Sequence, residues 1–410
     1  MKDKMRHIQR AEPPGTAARR AALRLLDAVL RRGLPLEAAL DAAARDLERA
    51  DDRGFAHAIA AEALRRLPDL DALIDRATRQ RLPDDAKARF ALRIALVQAL
   101  ALSTPPHAAI ATVLPLVDGG PRKLVHGVFS TVNREGWALP EVPHLPAPVA
   151  DRWGKAWGEE VVAAATRLIA TPPPIDLIGE PPADLAGVSL MPGHLRLARG
   201  IAVAGLTGYG EGRWWVQDLS AAQPARLLGP GEGRTALDLC AAPGGKTMQL
   251  ASAGWEVVAL DVSESRLARL KENLARTGLD ARVIAADVMK WAPPAPVDAI
   301  LLDAPCSATG IFRRHPDVLH RVRPRAIAAL AEAQQAMLAR AADWLKPGGS
   351  LVYSVCSLEP EEGEQVADAF LAARSDYALA ERQRILPGVH AAEGGADSFF
   401  IARFVRNPRR

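Results

Sequence analysis

Each of the three cysteines in this sequence, Cys240, Cys306 and Cys356, stands at the end of an apolar run with the composition of a buried strand. A cysteine in that position is most often a small buried hydrophobic residue. However, Cys306 and Cys356 are followed by the polar residues Ser307 and Ser357, and not by more core. Two thiols that converge on one site could act by nucleophilic catalysis, because a thiolate that adds to C6 of a cytosine makes C5 able to accept a methyl group.

The residues around Cys306 direct its side chain toward a loop. Pro305 lacks a backbone donor and holds Ala304 in extended geometry, so it ends the strand. Asp303 could hydrogen-bond the N3 and N4 edge of a cytosine and offset the charge that develops at N3. One thiol would attack the ring, and a second group would assist loss of the C5 proton and release of the thiol. The pattern leaves open which cysteine has which role.

These residues belong to a series of five predicted strands whose carboxyl ends carry Asp or Cys. The strands are Thr235–Cys240, Glu256–Asp261, Arg282–Asp287, Asp298–Asp303 and Ser350–Cys356. Apolar strands that alternate with helices predict a mostly parallel sheet covered on both faces, in a Rossmann-like α/β fold. Ligands of such sheets bind at the carboxyl ends of the strands. A single Asp there is usually a cap or turn residue, but five polar ends in succession predict a ligand site.

The first strand is followed by a loop of small residues, Ala241-Ala242-Pro243-Gly244-Gly245, which leads into a helix. Alone, such a loop is as often a plain tight turn as a ligand site. Here a ligand could approach the backbone at the helix N-terminus, and the pattern is not the GxGxxG of dinucleotide sites. Asp261 stands where an acidic residue would bind a ribose diol, and Asp287 could accept from an adenine amino group. S-adenosylmethionine fits this arrangement.

The chain is predicted to consist of three parts. Residues 1–140 show helical periodicity without an alternating strand pattern, and they predict an all-α domain. Residues 141–212 predict a proline-rich linker and a small α+β connector. Residues 213–410 carry the alternating strands and helices. Two further strands, Tyr377–Glu381 and Ser398–Val405, predict an antiparallel hairpin at one edge of the sheet.

Composition limits the classes of function. The chain has 410 residues and a net charge of +4, but residues 1–140 hold 23 Lys and Arg against 17 Asp and Glu, and the remainder holds 29 against 31. A basic N-terminal third is consistent with a polyanionic partner and equally with a solvated arginine-rich surface. Three scattered cysteines predict no disulfide framework and no zinc site, as in a reducing cytosol. The start, "MKDKMRHIQRAEPPG", does not have the pattern of a signal peptide, and no segment predicts a membrane span. We therefore expect a cytoplasmic protein without a metal.

Six motifs resemble those of the RNA (cytosine-5)-methyltransferases, in order along the catalytic half: "QDLSAAQ", "DLCAAPGGKT", "DAPCSATG", "RRHPD", "YSVCSLEPEE" and "SFFIARF". In the N-terminal part, "TPPHAAIATVLPLV" and "KLVHGVFSTVNREG" resemble a NusB-like RNA-binding domain. This pairing is typical of the bacterial 16S ribosomal RNA methyltransferase B type.

The resemblance implies more than the residue types do. It implies a class I methyltransferase domain with a seven-stranded sheet, and an enzyme that methylates C5 of a cytidine in small-subunit ribosomal RNA through a cysteine–C6 adduct. It makes Cys356 the nucleophile and Cys306 the residue that assists product release. It also implies a monomer with no obligate protein partner. The residues that it places around S-adenosylmethionine are Cys240, Ala241, Ala242, Pro243, Gly244, Gly245, Lys246, Asp261, Asp287 and Asp303.

The sequence departs from the family pattern at three places. "IDLIG" at Ile175–Gly179 replaces an arginine-valine-asparagine element, "HAAIATV" lacks a usual glutamate, and Val355 precedes the nucleophile where Thr or Ala is usual. The first two affect RNA docking and not the chemistry. Arg313, Arg314 and His315 are candidate phosphate or base contacts, or else belong to a solvated loop.

Two other classes of function remain open. A non-catalytic RNA-binding factor could carry a vestigial methyltransferase domain, but both cysteines, Asp303 and the glycine loop are intact. A methyltransferase of small molecules or proteins is disfavoured by the basic helical domain and the paired cysteines. Transfer of labelled methyl groups to RNA, protein or DNA would separate these alternatives.

Overall fold

The computed structural model describes residues 12–170 and 173–408. They form two compact units: the chain up to Val149 with His315–Arg321, and Ala150–Arg314 with Val322–Arg410. The three-part division at residues 140 and 212 stays a prediction. The prediction that the chain starts without a signal peptide concerns a segment whose residues 1–11 lie outside the described residues.

The first unit is helical, as its apolar periodicity predicts. Its helices are α1 (Thr16–Leu30), α2 (Leu36–Ala43), α3 (Ala50–Arg65), α4 (Leu67–Ala77), α5 (Lys87–Leu100), α6 (Pro106–Val113) and α7 (Gly119–Arg134). Leu25, Leu26 and Val29 of α1 are fully buried, in one core with Ile59 and Phe129. Because apolar residues three and four positions apart share a face, α1 turns one apolar side into this core, whereas α5 is buried on all sides from Ala88 to Gln98.

A short segment from the catalytic half of the sequence also belongs to the first unit. In His315–Arg321, the backbone N–H of Leu36 donates to Asp317 Oδ2 at 3.4 Å, and His320 Nε2 lies 2.7 Å from the carbonyl oxygen of Leu64. Burial lowers the pKa of His320 to about 4, so the ring is neutral at pH 7 and donates to that carbonyl.

The second unit begins with helices α8 (Ala147–Trp157) and α9 (Glu159–Ala170) and a small antiparallel sheet. The strands of this sheet are β1 (Ile175–Gly179), β2 (His194–Leu197) and β3 (Trp214–Val216), in the order β2-β1-β3. Asp176 is buried in β1 and accepts two hydrogen bonds from the Arg196 guanidinium, at 2.7 and 2.8 Å. These contacts hold the pKa of Asp176 well below its usual range, against the cost of burial, so this sheet has an ionic centre.

The remaining strands form the seven-stranded sheet that the sequence predicts. They are β4 (Thr235–Leu239), β5 (Glu256–Asp261), β6 (Arg282–Ala285), β7 (Val297–Asp303), β8 (Leu345–Val355), β9 (Tyr377–Ile385) and β10 (Phe399–Arg406). Their order is β6-β5-β4-β7-β8-β10-β9, in which the first five strands are parallel and β10 is antiparallel to both neighbours. The Rossmann-like fold and the edge hairpin are therefore confirmed.

Helices precede or connect the strands of this sheet along the chain. They are α10 (Gln223–Arg226), α11 (Gly245–Ser252), α12 (Glu264–Thr277), α13 (Val318–Arg321, in the first unit), α14 (Pro324–Ala342) and α15 (Glu364–Ala373). Ser263 caps α12 by accepting from the Arg266 N–H, and Gly278 ends it in a left-handed conformation. Among the residues described, no helix is long and apolar enough to cross a membrane.

The strand register brings the polar strand ends to one edge. Asp303, the last residue of β7, pairs with Ser354 of β8. Cys306 and Cys356 therefore follow neighbouring parallel strands at the same level of the sheet. β4 pairs with β7 on its other side, so the loop that begins at Cys240 opens at this edge as well.

Candidate active site

The two thiols at this edge are in contact. Cys306 Sγ and Cys356 Sγ lie 3.5 Å apart, a distance at which one thiol hydrogen-bonds to the other. Both cysteines are partly buried and neither is in a disulfide. Sequence reasoning anticipated this convergence, because the strands that end at these two cysteines are neighbours in the usual order of such a sheet.

The environment favours the protonated form of Cys306. Its hydrogen bond to Cys356, its burial and the negative charges of Cys356 and Glu362 raise the pKa of the Cys306 thiol well above its usual range. Cys306 therefore keeps its proton and can donate it to the sulfur of Cys356. A pair of thiols with one proton between them supplies one nucleophile and one acid.

An ion pair lies beside the thiols. Lys246 Nζ lies 2.7 Å from Asp303 Oδ2, and Ser354 Oγ donates to Asp303 Oδ1 at 2.8 Å. Burial opposes the charge on Lys246, but the negative charge of Asp303, their hydrogen bond and the charges of Asp238 and Cys356 raise the pKa of Lys246. Lys246 therefore stays an ammonium at neutral pH, beside Asp303 and in electrostatic interaction with Cys356.

The loop of small residues folds as a ligand cradle would. Cys240 has the uncommon φ of 63°, and Gly244, at φ 106°, turns the chain into α11. A Cβ atom at Gly244 would lie 2.9 Å from the Leu270 side chain. The position therefore requires glycine both for its positive φ and for lack of space. Burial and the negative charges of Asp303, Asp261 and Asp238 raise the pKa of the Cys240 thiol to about 12, so Cys240 is not a nucleophile at neutral pH.

Two further acidic residues flank this loop. Asp261 is buried, and its carboxylate accepts from the N–H of Ala242 at 3.1 Å and the N–H of Ser263 at 2.9 Å. It thus shapes the loop in addition to any contact with a ligand. Asp287 is more open, with 36% of its side chain exposed, and accepts from the N–H of Met289 at 2.9 Å.

The donors and apolar surfaces present fit S-adenosylmethionine. Asp261 ends β5, and Asp287 lies two residues beyond the end of the neighbouring strand β6. Exposed apolar residues lie close to each in sequence: Val262 is 72% exposed and Met289 41%. Exposed apolar residues between two carboxylates suit an adenosine group, which needs acceptors for its hydroxyl and amino groups and apolar contact for its faces. Asp238 lies below the loop with one buried carboxylate oxygen that has no hydrogen-bond partner among the described groups.

Sequence reasoning did not find the polar network behind the thiols. Glu362 accepts hydrogen bonds from both Ser307 and Ser357, the residues that follow the two cysteines. Glu359, three residues earlier, accepts from Arg152 at 2.6 Å and from Trp153 of α8 at 3.1 Å. The run "LEPEE" contains three glutamates, and nothing in their spacing distinguishes the one that faces the thiols.

The arginines of "RRHPD" are structural. Arg313 is buried, with 1% of its side chain exposed, and donates to Asp397 at 3.2 Å and to the carbonyl of Gly394 at 2.7 Å. Arg314 bridges Asp218 and Asp397 at 2.9 and 3.0 Å. The interpretation of Arg313 as an RNA contact or a solvated residue is therefore wrong, because its guanidinium is buried in a network of acidic residues.

Comparison with known proteins agrees with this geometry. A family model described as 16S rRNA methyltransferase RsmB/F matches residues 225–405, and a model of the NusB family matches residues 16–133. The ribosomal RNA small subunit methyltransferase B of Xylella fastidiosa is 35% identical over 432 aligned residues, which cover 96% of this chain and 99% of that protein. This chain belongs to the ribosomal RNA small subunit methyltransferase B family.

The methyltransferase is accordingly an enzyme that uses S-adenosylmethionine as its cofactor. The enzyme of the same name from Klebsiella pneumoniae is also 35% identical, over 87% of this chain and 90% of that protein. Among solved structures, the crystal structure of PH0851 aligns with 97% of this chain and with 100% of its own chain. The TM-score is 0.72 and the sequence identity is 22%. A methyltransferase homolog protein from Pyrococcus horikoshii covers 68% of this chain and 98% of its own, with a TM-score of 0.54 at 25% identity.

Proposed function

We propose that this methyltransferase modifies C5 of a cytidine in small-subunit ribosomal RNA through a covalent adduct between Cys356 and C6. The observation that carries the proposal is the pair of thiols 3.5 Å apart beside the Lys246–Asp303 ion pair. Methyl transfer to an oxygen, or to an amine that already has a lone pair, needs no thiol. Carbon 5 of cytosine becomes nucleophilic only when a group adds to C6, and a thiolate is suited to that addition.

The chain's own residues supply the steps on the base. Cys356 adds to C6 as the thiolate, which places an electron pair on C5, and Asp303, ionised in its pair with Lys246, accepts a hydrogen bond from the N4 amino group and orients the base. When bound, S-adenosylmethionine supplies the methyl group. Cys306 assists loss of the C5 proton; the electron pair of that C–H bond then forms the C5–C6 double bond as the C6–S bond breaks.

The change in charge during the reaction explains why Cys306 can take that second role. Its thiol is held protonated first of all by the hydrogen bond to Cys356, and also by the negative charge there. Once the sulfur of Cys356 is bound to carbon, this charge is gone and Cys306, which is partly exposed, releases its proton to water more easily. The same residue is then able to accept the C5 proton.

Ten residues are proposed to hold the cofactor at the edge of the sheet. Asp261 takes the ribose hydroxyls, Asp287 the adenine amino group, and the loop backbone the methionine part. The full set is Cys240, Ala241, Ala242, Pro243, Gly244, Gly245, Lys246, Asp261, Asp287 and Asp303, whose positions at neighbouring strand ends support the assignment.

Ribosomal RNA is proposed as the substrate, which the helical unit would help to bind in the cytoplasm. The names of the relatives and the NusB match support it. The decisive experiment incubates the protein with labelled S-adenosylmethionine and 16S RNA, and then maps 5-methylcytosine by bisulfite sequencing. Label in RNA at 5-methylcytosine supports the proposal. Label in RNA at another atom, label only in protein, or RNA binding without transfer would contradict it.

A further inference from the structure

Glu362 occupies an unusual position for a glutamate. Its side chain is fully buried in the loop that follows β8. Oε1 accepts from the N–H of Ser307 at 2.8 Å and from Gln334 Nε2 at 3.1 Å. Oε2 accepts from Ser307 Oγ and Ser357 Oγ, each at 2.5 Å. An ionised carboxylate only accepts hydrogen bonds, and these four donors occupy its lone-pair sites.

This arrangement ties together the two loops that carry the thiols. Ser307 directly follows Cys306, and Ser357 directly follows Cys356. One carboxylate therefore contacts both loops at the residue next to each sulfur. The loops are joined a second time by the N–H of Leu358, which donates to Thr309 Oγ1 at 3.0 Å.

The four donors to Glu362 are neutral groups, so they satisfy its hydrogen bonds without cancelling its charge. A buried charge is costly, and apolar packing would serve stability alone at least as well. Glu362 is bonded twice to Ser307 and once to Ser357, so its charge acts mainly on the loop of Cys306.

We propose that Glu362 is a positioning residue that locks the two thiol loops together and keeps the shared proton on Cys306, so that Cys356 is the thiol that attacks. The proposal rests on the proposed function, in which Cys356 is the nucleophile. It goes beyond that function by giving one buried carboxylate a part in the difference between two neighbouring thiols, in addition to the contact between the two sulfurs.

The charged and titratable groups around the thiol pair have the arrangement that this role requires. On the Cys306 side lie Glu362 and Tyr353, whose hydroxyl donates to the backbone carbonyl of Glu362 at 2.5 Å. Burial, together with the charge of Glu362, raises the pKa of Tyr353 well above its usual range, so this phenol is neutral. On the Cys356 side lies Lys246, in its ion pair with Asp303. The charge of Glu362 thus acts on Cys306, whereas Cys356 interacts with Lys246 of the Lys246–Asp303 ion pair.

The test measures the reactivity of each thiol without requiring methylation. Full-length protein in a phosphine reductant is alkylated with iodoacetamide from pH 6 to 10.5, and the rates at Cys306 and Cys356 are followed separately by mass spectrometry. The variants are Glu362→Gln, which removes the charge, and Glu362→Asp, which keeps it. Glu359→Gln is the matched control, since Glu359 is equally buried in the same loop but bonds to Arg152 and Trp153.

We expect Cys356 to react faster than Cys306 in the unaltered protein, and the rate at Cys306 to be still rising at pH 10.5. Glu362→Gln should move the titration of Cys306 to lower pH and raise its rate at pH 9 by about tenfold or more. Glu362→Asp and Glu359→Gln should keep the original pH profile. If the substitution only changed the access of iodoacetamide to Cys306, the alkylation rate would change by the same factor at every pH. The midpoint of the pH profile would then stay in place.

Two results would overturn the inference: an unchanged pH profile in Glu362→Gln, or the same shift in Glu359→Gln. If Glu362→Gln does not fold, the unaltered protein still tests the inference. Alkylation of Cys306 at least as fast as that of Cys356 would contradict the role proposed for Glu362. Turnover on 16S RNA is measured in parallel, and Glu362→Gln should lower kcat by about tenfold or more with little change in KM. Absence of 5-methylcytosine with the unaltered protein would defeat the proposed function and leave the alkylation result standing.

Discussion

At the scale of single residues, the chemistry depends on unequal surroundings of similar groups. Cys240, Cys306 and Cys356 all follow strands of one sheet, yet burial and acidic neighbours hold Cys240 protonated, and Cys306 is held protonated by its contact with Cys356. Cys356 interacts electrostatically with the ammonium of Lys246. Local electrostatics, and not the residue type, therefore separates the roles.

The first prediction separates the two thiols by substitution. Cys356→Ala should form no adduct and no 5-methylcytosine, because no thiolate remains to add to C6. Cys306→Ala should attack and methylate, and then stall, because release is unassisted, so an enzyme–RNA species should survive denaturing electrophoresis. Cys240→Ala serves as the control for loss of a thiol and should form no trapped species. A stable adduct in Cys356→Ala, with none in Cys306→Ala, would reverse the assignment.

The second prediction concerns Asp238, which accepts from Thr247 Oγ1 at 2.6 Å and is fully buried. Burial raises its pKa from 3.8 to about 7. Between these values the folded state holds a proton that the unfolded state has lost, so the contribution of Asp238 to stability is complete below pH 4 and falls as the pH rises to 7. The total loss is about 4 kcal/mol, from roughly three pKa units at 1.4 kcal/mol each.

Asp238→Asn keeps the shape and the acceptor but cannot ionise. Without cofactor, we expect the variant and the unaltered protein to have similar free energies of unfolding at pH 4, and the variant to be more stable at pH 8. Urea unfolding at several pH values measures the difference in free energy of unfolding between the two proteins. The contributions of the other titrating groups cancel in this difference because both proteins share them. A difference that does not change between pH 4 and 8 would contradict the raised pKa.

At the scale of elements, close backbone packing holds the thiol loops. The N–H of Gly310 donates to the carbonyl of Cys356 at 3.0 Å, and the N–H of Ser398, just before β10, donates to the carbonyl of Gly310 at 3.0 Å. The loop after β7 is thus fastened to the ends of two other strands. The position of Cys306 depends on this fit.

The third prediction is that Gly310→Ala disrupts this fit. An added Cβ would lie 2.1 Å from the carbonyl oxygen of Ser398 and 3.0 Å from that of Cys356, and neither backbone group can rotate away. We expect the free energy of unfolding to fall by about 1–3 kcal/mol and methylation to fall with it. Gly205→Ala, where a Cβ would meet nothing within 4 Å, should change stability by less than about 0.5 kcal/mol. Equal effects of the two substitutions in urea unfolding would contradict the packing argument.

At the scale of the whole molecule, the net charge of +6 in residues 1–140 has to act through particular side chains. A pocket of about 480 Å³ in the first unit is lined by Leu114, Gly119, Arg122, Lys123 and His126. Three basic residues and no acidic residue line it. Arg122 donates to the carbonyl of Leu114 at 3.3 Å, which orients its guanidinium at this surface. This surface suits a phosphate backbone.

The fourth prediction is that replacing Arg122 and Lys123 together by Ala weakens binding to 16S RNA by about tenfold. The slope of log affinity against log salt should fall by roughly 1.5, because two phosphate contacts are lost. Binding of S-adenosylmethionine, measured by calorimetry, should not change. The matched control replaces Arg45 and Arg49 by Ala, which removes the same amount of positive charge. These two arginines are exposed and are paired with Asp46 and Asp51. If the control pair lowers affinity and salt slope equally, the effect is one of net charge and not of this surface.

The sequence by itself determined the class of fold and the general location of the site. Alternating apolar strands and helices predict the parallel sheet, and a polar residue at five strand ends predicts the edge at which a ligand binds. These signals are local, because the period of an apolar pattern and the residue that ends a strand depend on neighbours along the chain. Cys306 and Cys356 could be placed together because the fourth and fifth strands are neighbours in the usual order of such a sheet.

Only the tertiary structure decided which polar groups meet. Glu362 contacts Ser307 across 55 positions of sequence, and Arg313 meets Asp397 across 84, so no local pattern distinguishes Glu362 from its neighbours or indicates that Arg313 is buried. His315–Arg321 packs in the helical unit although it lies between strands of the other. The physical reason is that hydrogen bonds and electrostatic interactions act between side chains a few ångströms apart, and that proximity follows from packing and not from order along the chain.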